Sequence, residues 1–218
     1  MRARDSATQA AAERDRVRHD DRRDPTQSGT ADANGEHPAM TDAAAALLPF
    51  GTKVLREAGA PPLPSRIQAL NAAWRVCGRV FTVALAGGNN IWLHRALYAA
   101  GPGDVLVVST DSPREYGYWG DTLTHAALER ELGGLVIDGA VRDSAELCQL
   151  GFPIFSRGRC LRGAGKEDST GSLRGPVALG SAIVSTGDLV VGDEDGVVFT
   201  APDEVATLVR RAATVSRT

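Results

Sequence analysis

At 218 residues the chain has room for one sizeable domain with or without a tail, and a composition of 43% hydrophobic and 23% charged residues is ordinary for a soluble globular protein. A net charge of −3 and a pI near 5.8 exclude a general pull toward nucleic acid or anionic membrane, and 5% aromatic residues argue against a base-stacking platform. No apolar run approaches the roughly 20 residues that span a bilayer, no secretory signal is legible, and Cys77, Cys148 and Cys160 lack a CxxC pair, so a cytoplasmic protein with reduced thiols is expected.

Residues 1–38 mix Arg and Asp with Ala, Thr and Gly, hold no aromatic residue, and carry Val17 as their only valine. Such a stretch buries too little apolar surface to offset its ordering entropy, which predicts a disordered tail ahead of a domain at 39–218. From Met40 the texture becomes mixed α/β. Thr41 and Asp42 read as the cap of a helix over TDAAAALL, and APPLPS (60–65) as a stiff connector. The β-rich alternation VCGRVFTVAL (76–85) predicts a strand, and Asn89 or Asn90 a helix start running through IWLHRALYAA to Gly101-Pro102.

The short apolar run DVLVV (104–108) marks a strand covered on both faces. A helix after Gly120 gives way at Gly133-Gly134 to a second buried strand, LVID (135–138). Asp143 to Leu150 reads as a short helix closed by Gly151, and PIFS (153–156) as another strand. Residues 158–175, rich in Gly, Arg and Ser, read as a long functional or mobile loop. VALGSAIV, GDLVVGD and DGVVFT follow as three β-rich pieces between turn signals. PDEVATLVRRAA, with proline first, acids early and arginines late, reads as a helix matched to its dipole. The alternation implies a layered α/β domain.

Chemistry concentrates in WGDTL (119–123) and LVIDGAVRD (135–143). Gly120, Asp121, Thr122 and Leu123 sit where a loop becomes a helix, so their N–H groups are open to an anion such as a carboxylate. Arg142 follows a buried strand, where α/β sheets build sites, and its planar fork suits a carboxylate or a developing oxyanion. Asp143 offers an oxygen ligand to a hard cation such as Mg²⁺ or Mn²⁺. Blander readings stand beside these: Asp121 as an ordinary helix cap, Asp143 paired with Glu146 as a capping pair, and Arg142 in a surface ion pair. Lys166 reads as a Schiff-base lysine, a lid contact to a distal carboxylate or, more simply, a solvated lysine; His125, one turn after Asp121, as a proton relay or, like His94, a helix-face or packing residue; and Asp193 and Asp195 as leaning toward a neighbouring subunit's site or as a plain strand-connecting turn.

Taken in order, TDAA (41–44), GGNNIWLHRAL (87–97), WGDTL, the strand ending in Val141-Arg142-Asp143, and TGDLVVGDEDGVV (186–198) resemble the 4-hydroxy-4-methyl-2-oxoglutarate aldolase family, which also holds ribonuclease E inhibitor-like proteins (regulator of ribonuclease activity A). The resemblance spans roughly residues 41–205. It implies a swivelling β/β/α-type domain assembled as a homotrimer or homohexamer. It also implies a divalent-metal lyase that cleaves a 4-hydroxy-2-oxo acid to pyruvate and a carbonyl product, with oxaloacetate decarboxylation by the same enolate chemistry. In that reading Gly120, Asp121, Thr122, Leu123 and Arg142 bind the substrate, Arg142 and Asp121 act on it, and Asp143 anchors Mg²⁺ or Mn²⁺. The partner is a small 2-oxo acid, not nucleic acid or membrane. The rival is a non-catalytic regulator of the ribonuclease E inhibitor type, which departs from the Arg-Asp pair at the position that Asp143 occupies here. The segment Ser109–Tyr116 departs from the family's Asp and glycine run and is expected to shape the substrate pocket.

Overall fold

A computed structural model describes residues 38–111, 115–167 and 170–217. The expected tail, save Pro38, lies outside the described residues, as do residues 112–114 of the Ser109–Tyr116 loop. The described chain opens on α1 (Pro38–Leu47) and α2 (Thr52–Glu57), then β1 (Gln68–Ala69), β2 (Val76–Leu85) and α3 (Ile91–Ala99). There follow β3 (Val105–Thr110), β4 (Gly117–Trp119), α4 (Asp121–Glu129), β5 (Gly134–Asp138), β6 (Ala140–Val141) and α5 (Ser144–Leu150). The remainder is β7 (Ile154–Ser156), β8 (Gly158–Arg159), β9 (Gly171–Leu173), β10 (Val177–Leu179), β11 (Ala182–Val184), β12 (Leu189–Asp193), β13 (Gly196–Thr200) and, after a 3₁₀ turn, α6 (Val205–Val215). Thr41 and Asp42 do not cap α1. They lie inside it, because the helix already starts at Pro38, a residue suited to a first turn.

The main sheet runs β1-β7-β5-β3-β2-β12-β13, with β9 also paired to β2. Its middle, β2-β3-β5-β7, is parallel, and these strands are apolar on both faces as a doubly covered sheet requires. One face carries α3, α4 and α5 over a core that includes Phe81, Leu106, Leu135 and Ile137. The other face packs Val80, Val107, Val136 and Phe155 against the β10–β11 hairpin and β12. A third cluster joins α1, α2 and α6 to β12 and β13. The sheet curls: Leu63, just ahead of β1, donates its N–H to the Val197 carbonyl of β13 at 2.8 Å, bringing the two edges near each other. The result is a mixed α/β fold with a nearly closed, barrel-like sheet.

A second, smaller sheet positions the site. Strands β3, β5 and β7 each end, turn, and resume as β4, β6 and β8, which pair in parallel in the order β4-β6-β8. The chain therefore builds a short parallel layer beyond the carboxyl ends of the main strands, and both chemistry-bearing phrases leave from it. No helix among the described residues is long and apolar enough to cross a membrane.

Candidate active site

Trp119 ends β4 fully buried, stacked on Phe152 at 6.1 Å, and its indole N–H donates to the Thr124 hydroxyl at 2.7 Å. That hydroxyl donates in turn to the Gly120 carbonyl at 3.0 Å, so the start of α4 is held rigidly. Opposite it, β6 delivers Arg142, whose N–H donates to the Trp119 carbonyl at 2.9 Å. The Asp143 carboxylate is 3.3 Å from Arg142 Nε and 3.4 Å from the Asp121 N–H. The six residues singled out in the sequence thus meet at one place. Gly120, Asp121, Thr122, Leu123 and Arg142 line one open cleft, and Asp143 stands beside it against two of them.

The amides differ from the expectation of four open donors. Thr122 N–H is taken by the Asp121 side chain at 2.6 Å, and Asp121 N–H turns to Asp143, while Leu123 N–H is claimed by no described residue. An Asp beginning a helix naturally folds its carboxylate back onto the first-turn N–H groups. Those bonds from the Thr122 amide and hydroxyl hold the Asp121 carboxyl below its ordinary range, so it stays ionised at neutral pH.

Asp143 is no helix cap. It occupies the position before α5 in a left-handed conformation, φ 54°, ψ 39°, and makes no side-chain bond to that helix. Its long contacts to Arg142 and Asp121 leave the carboxylate 32% exposed and available. Among the described residues no three His, Cys, Asp or Glu side chains converge on a metal ion. One exposed carboxylate beside a cleft fits a hard cation that keeps several waters and takes further oxygens from a substrate; it does not fit a closed zinc-type cage.

Gly120 matters for a reason the sequence does not display. A Cβ there would lie 2.4 Å from Asp143 Oδ2 and 3.2 Å from Arg142 Nε. The carboxylate end can swing away, and the Arg142 side chain, whose Cγ is also 3.2 Å off, need give only a few tenths of an ångström, so Gly120→Ala is expected to keep its melting temperature while losing turnover at least about tenfold, or roughly 1.4 kcal/mol. At Gly117 the same methyl would meet the Cys160 carbonyl at 2.4 Å, which is main chain and cannot yield. Gly117→Ala should therefore lower the melting temperature. Thermal melts and kinetics on the two variants check the contrast.

Residues 160–165, within the Gly-rich stretch, are strapped across the site rather than free. Main-chain bonds link Cys160 to Val141 (2.9 Å), Arg162 to Gly117 (2.7 Å) and Gly165 to both Asn90 (2.9 Å) and Gly88 (3.0 Å). The strap carries Ala164 and Lys166 into the cleft wall, where Asn90, His94 and Tyr118 join them. Burial pushes the Tyr118 phenol up to about 12, so it stays protonated. His125 is exposed and does not line the cleft. Asp193, buried, accepts from the Thr52 amide at 2.8 Å and hydroxyl at 2.5 Å and serves to cap α2. Asn90 and Tyr118 were not readable as site residues; the signal available was Asn90 at a helix start one turn before His94.

The site is thus a cleft at the carboxyl ends of parallel strands in a mixed α/β fold, lined by the Arg142 guanidinium, the open Leu123 amide and the Asp121 carboxylate. The family model described as Aldolase/RraA, RraA-like, matches residues 38–199, and the chain belongs to that family. A protein of Halalkalibacterium halodurans named "Putative 4-hydroxy-4-methyl-2-oxoglutarate aldolase" is 34% identical over 154 residues, which are 71% of this chain and 73% of that protein. The structure of Streptomyces coelicolor RraAS2, titled an unusual member of the RNase ES inhibitor RraA protein family, superposes with a TM-score of 0.71 at 27% identity, covering 81% of this chain and 93% of that one. The RNA-processing inhibitor RraA from Thermus thermophilis superposes with a TM-score of 0.60 at 26% identity, covering 66% and 86%. The family thus spans proteins named as aldolases and proteins named as regulators.

Proposed function

We propose that the chain is a divalent-metal-dependent lyase that cleaves a 4-hydroxy-2-oxo acid to pyruvate and a second carbonyl compound, and that it decarboxylates oxaloacetate by the same enolate chemistry. The observation that carries this reading is the convergence of the Arg142 guanidinium, the Asp143 carboxylate and the open Leu123 amide on one cleft. Asp143 would hold Mg²⁺ or Mn²⁺, which supplies positive charge where the keto oxygen becomes an enolate oxygen. The Leu123 N–H and Arg142 grip the substrate carboxylate, and Gly120 and Thr122 shape the wall around it. Arg142 also faces the oxygen on which charge develops, where a preorganised cation is most effective. Asp121, kept ionised, orients a water that relays the proton to the enolate carbon. The proposed assembly is a homotrimer or homohexamer of swivelling β/β/α-type domains acting in the cytoplasm, without nucleic acid or membrane.

The likeness to RNA-processing inhibitors supports a second reading, a regulator without chemistry. Retention of Asp143 beside Arg142 favours the lyase. The test is a screen of 2-oxo acids with added Mg²⁺ or Mn²⁺, detecting released pyruvate, with borohydride added in a parallel arm. The lyase reading expects pyruvate from at least one 4-hydroxy-2-oxo acid and no substrate trapped on Lys166. A borohydride adduct at Lys166 would replace metal chemistry with a Schiff base. No pyruvate from any substrate would leave the regulator.

A further inference from the structure

Asn90 and His94 stand one helical turn apart at the start of α3, and both line the cleft beside Lys166. Asn90 is 7% exposed, and its side-chain N–H donates to the Tyr118 carbonyl at 2.9 Å. Its Oδ1 and His94 Nε2 are both buried with no partner among the described residues. Buried polar atoms without partners are rare, and two in the wall of one cleft point to a ligand that satisfies them.

The chemistry of the pair says what that ligand brings. Asn90 Oδ1 is only an acceptor. Burial, and then the charge of Lys166, hold the His94 imidazole below its ordinary range, so it is neutral at physiological pH. With its proton on Nδ1, His94 Nε2 is an acceptor too. A carboxylate or carbonyl has no hydrogen to offer either atom, whereas a hydroxyl offers one and a water two, so a substrate hydroxyl can serve one of the pair and a water the other. The other charged or titratable groups lining the cleft are Lys166 from the strap, Arg142 after β6, Asp121 at the start of α4 and Tyr118 of β4.

We propose that His94 is the general base that removes the proton from the C4 hydroxyl of the substrate, with Asn90 Oδ1 accepting from the water that later returns the proton and Lys166 facing the oxygen as charge builds on it. This rests on the lyase reading above. The hydroxyl proton passes to Nε2, and the O–H electron pair forms the new C4 carbonyl. The C3–C4 pair moves into the C2–C3 bond, giving the enolate of pyruvate with its oxygen toward Arg142. The imidazolium then returns the proton through water to C3, so the products are pyruvate and a carbonyl compound, with nothing left over.

The experiment compares two substrates in the presence of Mg²⁺. Cleavage of 4-hydroxy-4-methyl-2-oxoglutarate needs the hydroxyl proton removed, and decarboxylation of oxaloacetate does not. In His94→Gln, cleavage should fall at least about 100-fold further than decarboxylation, on the scale of a lost general base. The acidic limb of its kcat/KM profile should vanish with it. In Lys166→Met that limb should move to higher pH, since the charge that lowers the His94 pKa is gone. Equal losses on both substrates, no loss on either, or an unmoved limb in Lys166→Met would overturn the assignment, and the last arm decides alone if His94→Gln does not fold. Wild-type protein that decarboxylates oxaloacetate but cleaves no hydroxy acid overturns His94 as base and leaves the enolate chemistry standing. Wild-type protein that releases pyruvate from neither overturns the lyase reading itself, and His94 falls with it.

Discussion

Replacing Arg142 by lysine is expected to cut turnover at least about tenfold, a loss of roughly 1.4 kcal/mol of transition-state stabilisation, although the positive charge is kept. The reason is shape. The guanidinium lies between two glycines: a Cβ on Gly120 would be 3.2 Å from Arg142 Nε, and one on Gly163 would be 3.1 Å from its Nη1. A planar group slots between these main chains and presents several donors at once toward the cleft and toward Asp143. An ammonium on a flexible stem offers one point charge and no fixed fork. Stability should hardly change, because the side chain is 44% exposed and its ion pair to Asp143 is long at 3.3 Å. Kinetics and a thermal melt on Arg142→Lys check both halves, and a lysine variant with near-normal kinetics would place Arg142 outside the chemistry.

Asp143→Asn should separate metal binding from folding. The side chain caps nothing in α5, and its left-handed backbone is one that Asn adopts as readily as Asp. Stability should therefore stay within about 1 kcal/mol of the parent. Metal affinity should fall at least about tenfold, since a hard divalent cation prefers carboxylate over a neutral amide, and turnover should fall with it. Asp143→Ala should add a folding cost of about 1–2 kcal/mol, because alanine lacks the short polar side chain that eases this conformation. Melting temperature, Mn²⁺ binding and pyruvate release measured together on the Asn variant decide the matter. Normal metal binding and turnover in Asp143→Asn would remove the carboxylate from the account.

The elements that carry apolar, β-rich runs are legible in the sequence itself. VCGRVFTVAL, DVLVV and LVID became the parallel centre of the sheet, and Gly120 opened a helix as its position suggested. The β4-β6-β8 layer was not legible, since strands of two or three residues are too short to show a period. The same limit hid the strap: main-chain bonds between Gly165, Gly88 and Asn90 leave no side-chain pattern to read. Lys166 and His94 consequently looked like solvent and packing residues, and only the fold brings them to Arg142. The left-handed turn at Asp143 was equally hidden, because Asp-x-x-Glu spacing imitates a capping pair that the backbone does not form. Thr41 and Asp42 misled in the opposite sense: an alanine-rich run tells that a helix exists but not where it begins.

In the proposed function, one partly exposed carboxylate and one guanidinium, held together at the start of α4, support divalent-metal enolate chemistry. Its most direct test is a titration of Mg²⁺ into chelator-stripped wild-type protein, following pyruvate released from oxaloacetate and from 4-hydroxy-4-methyl-2-oxoglutarate. Release is expected near background without metal, with a saturable rise as Mg²⁺ is added that chelator reverses. Full turnover in chelator, or no release at any Mg²⁺ concentration, would contradict it.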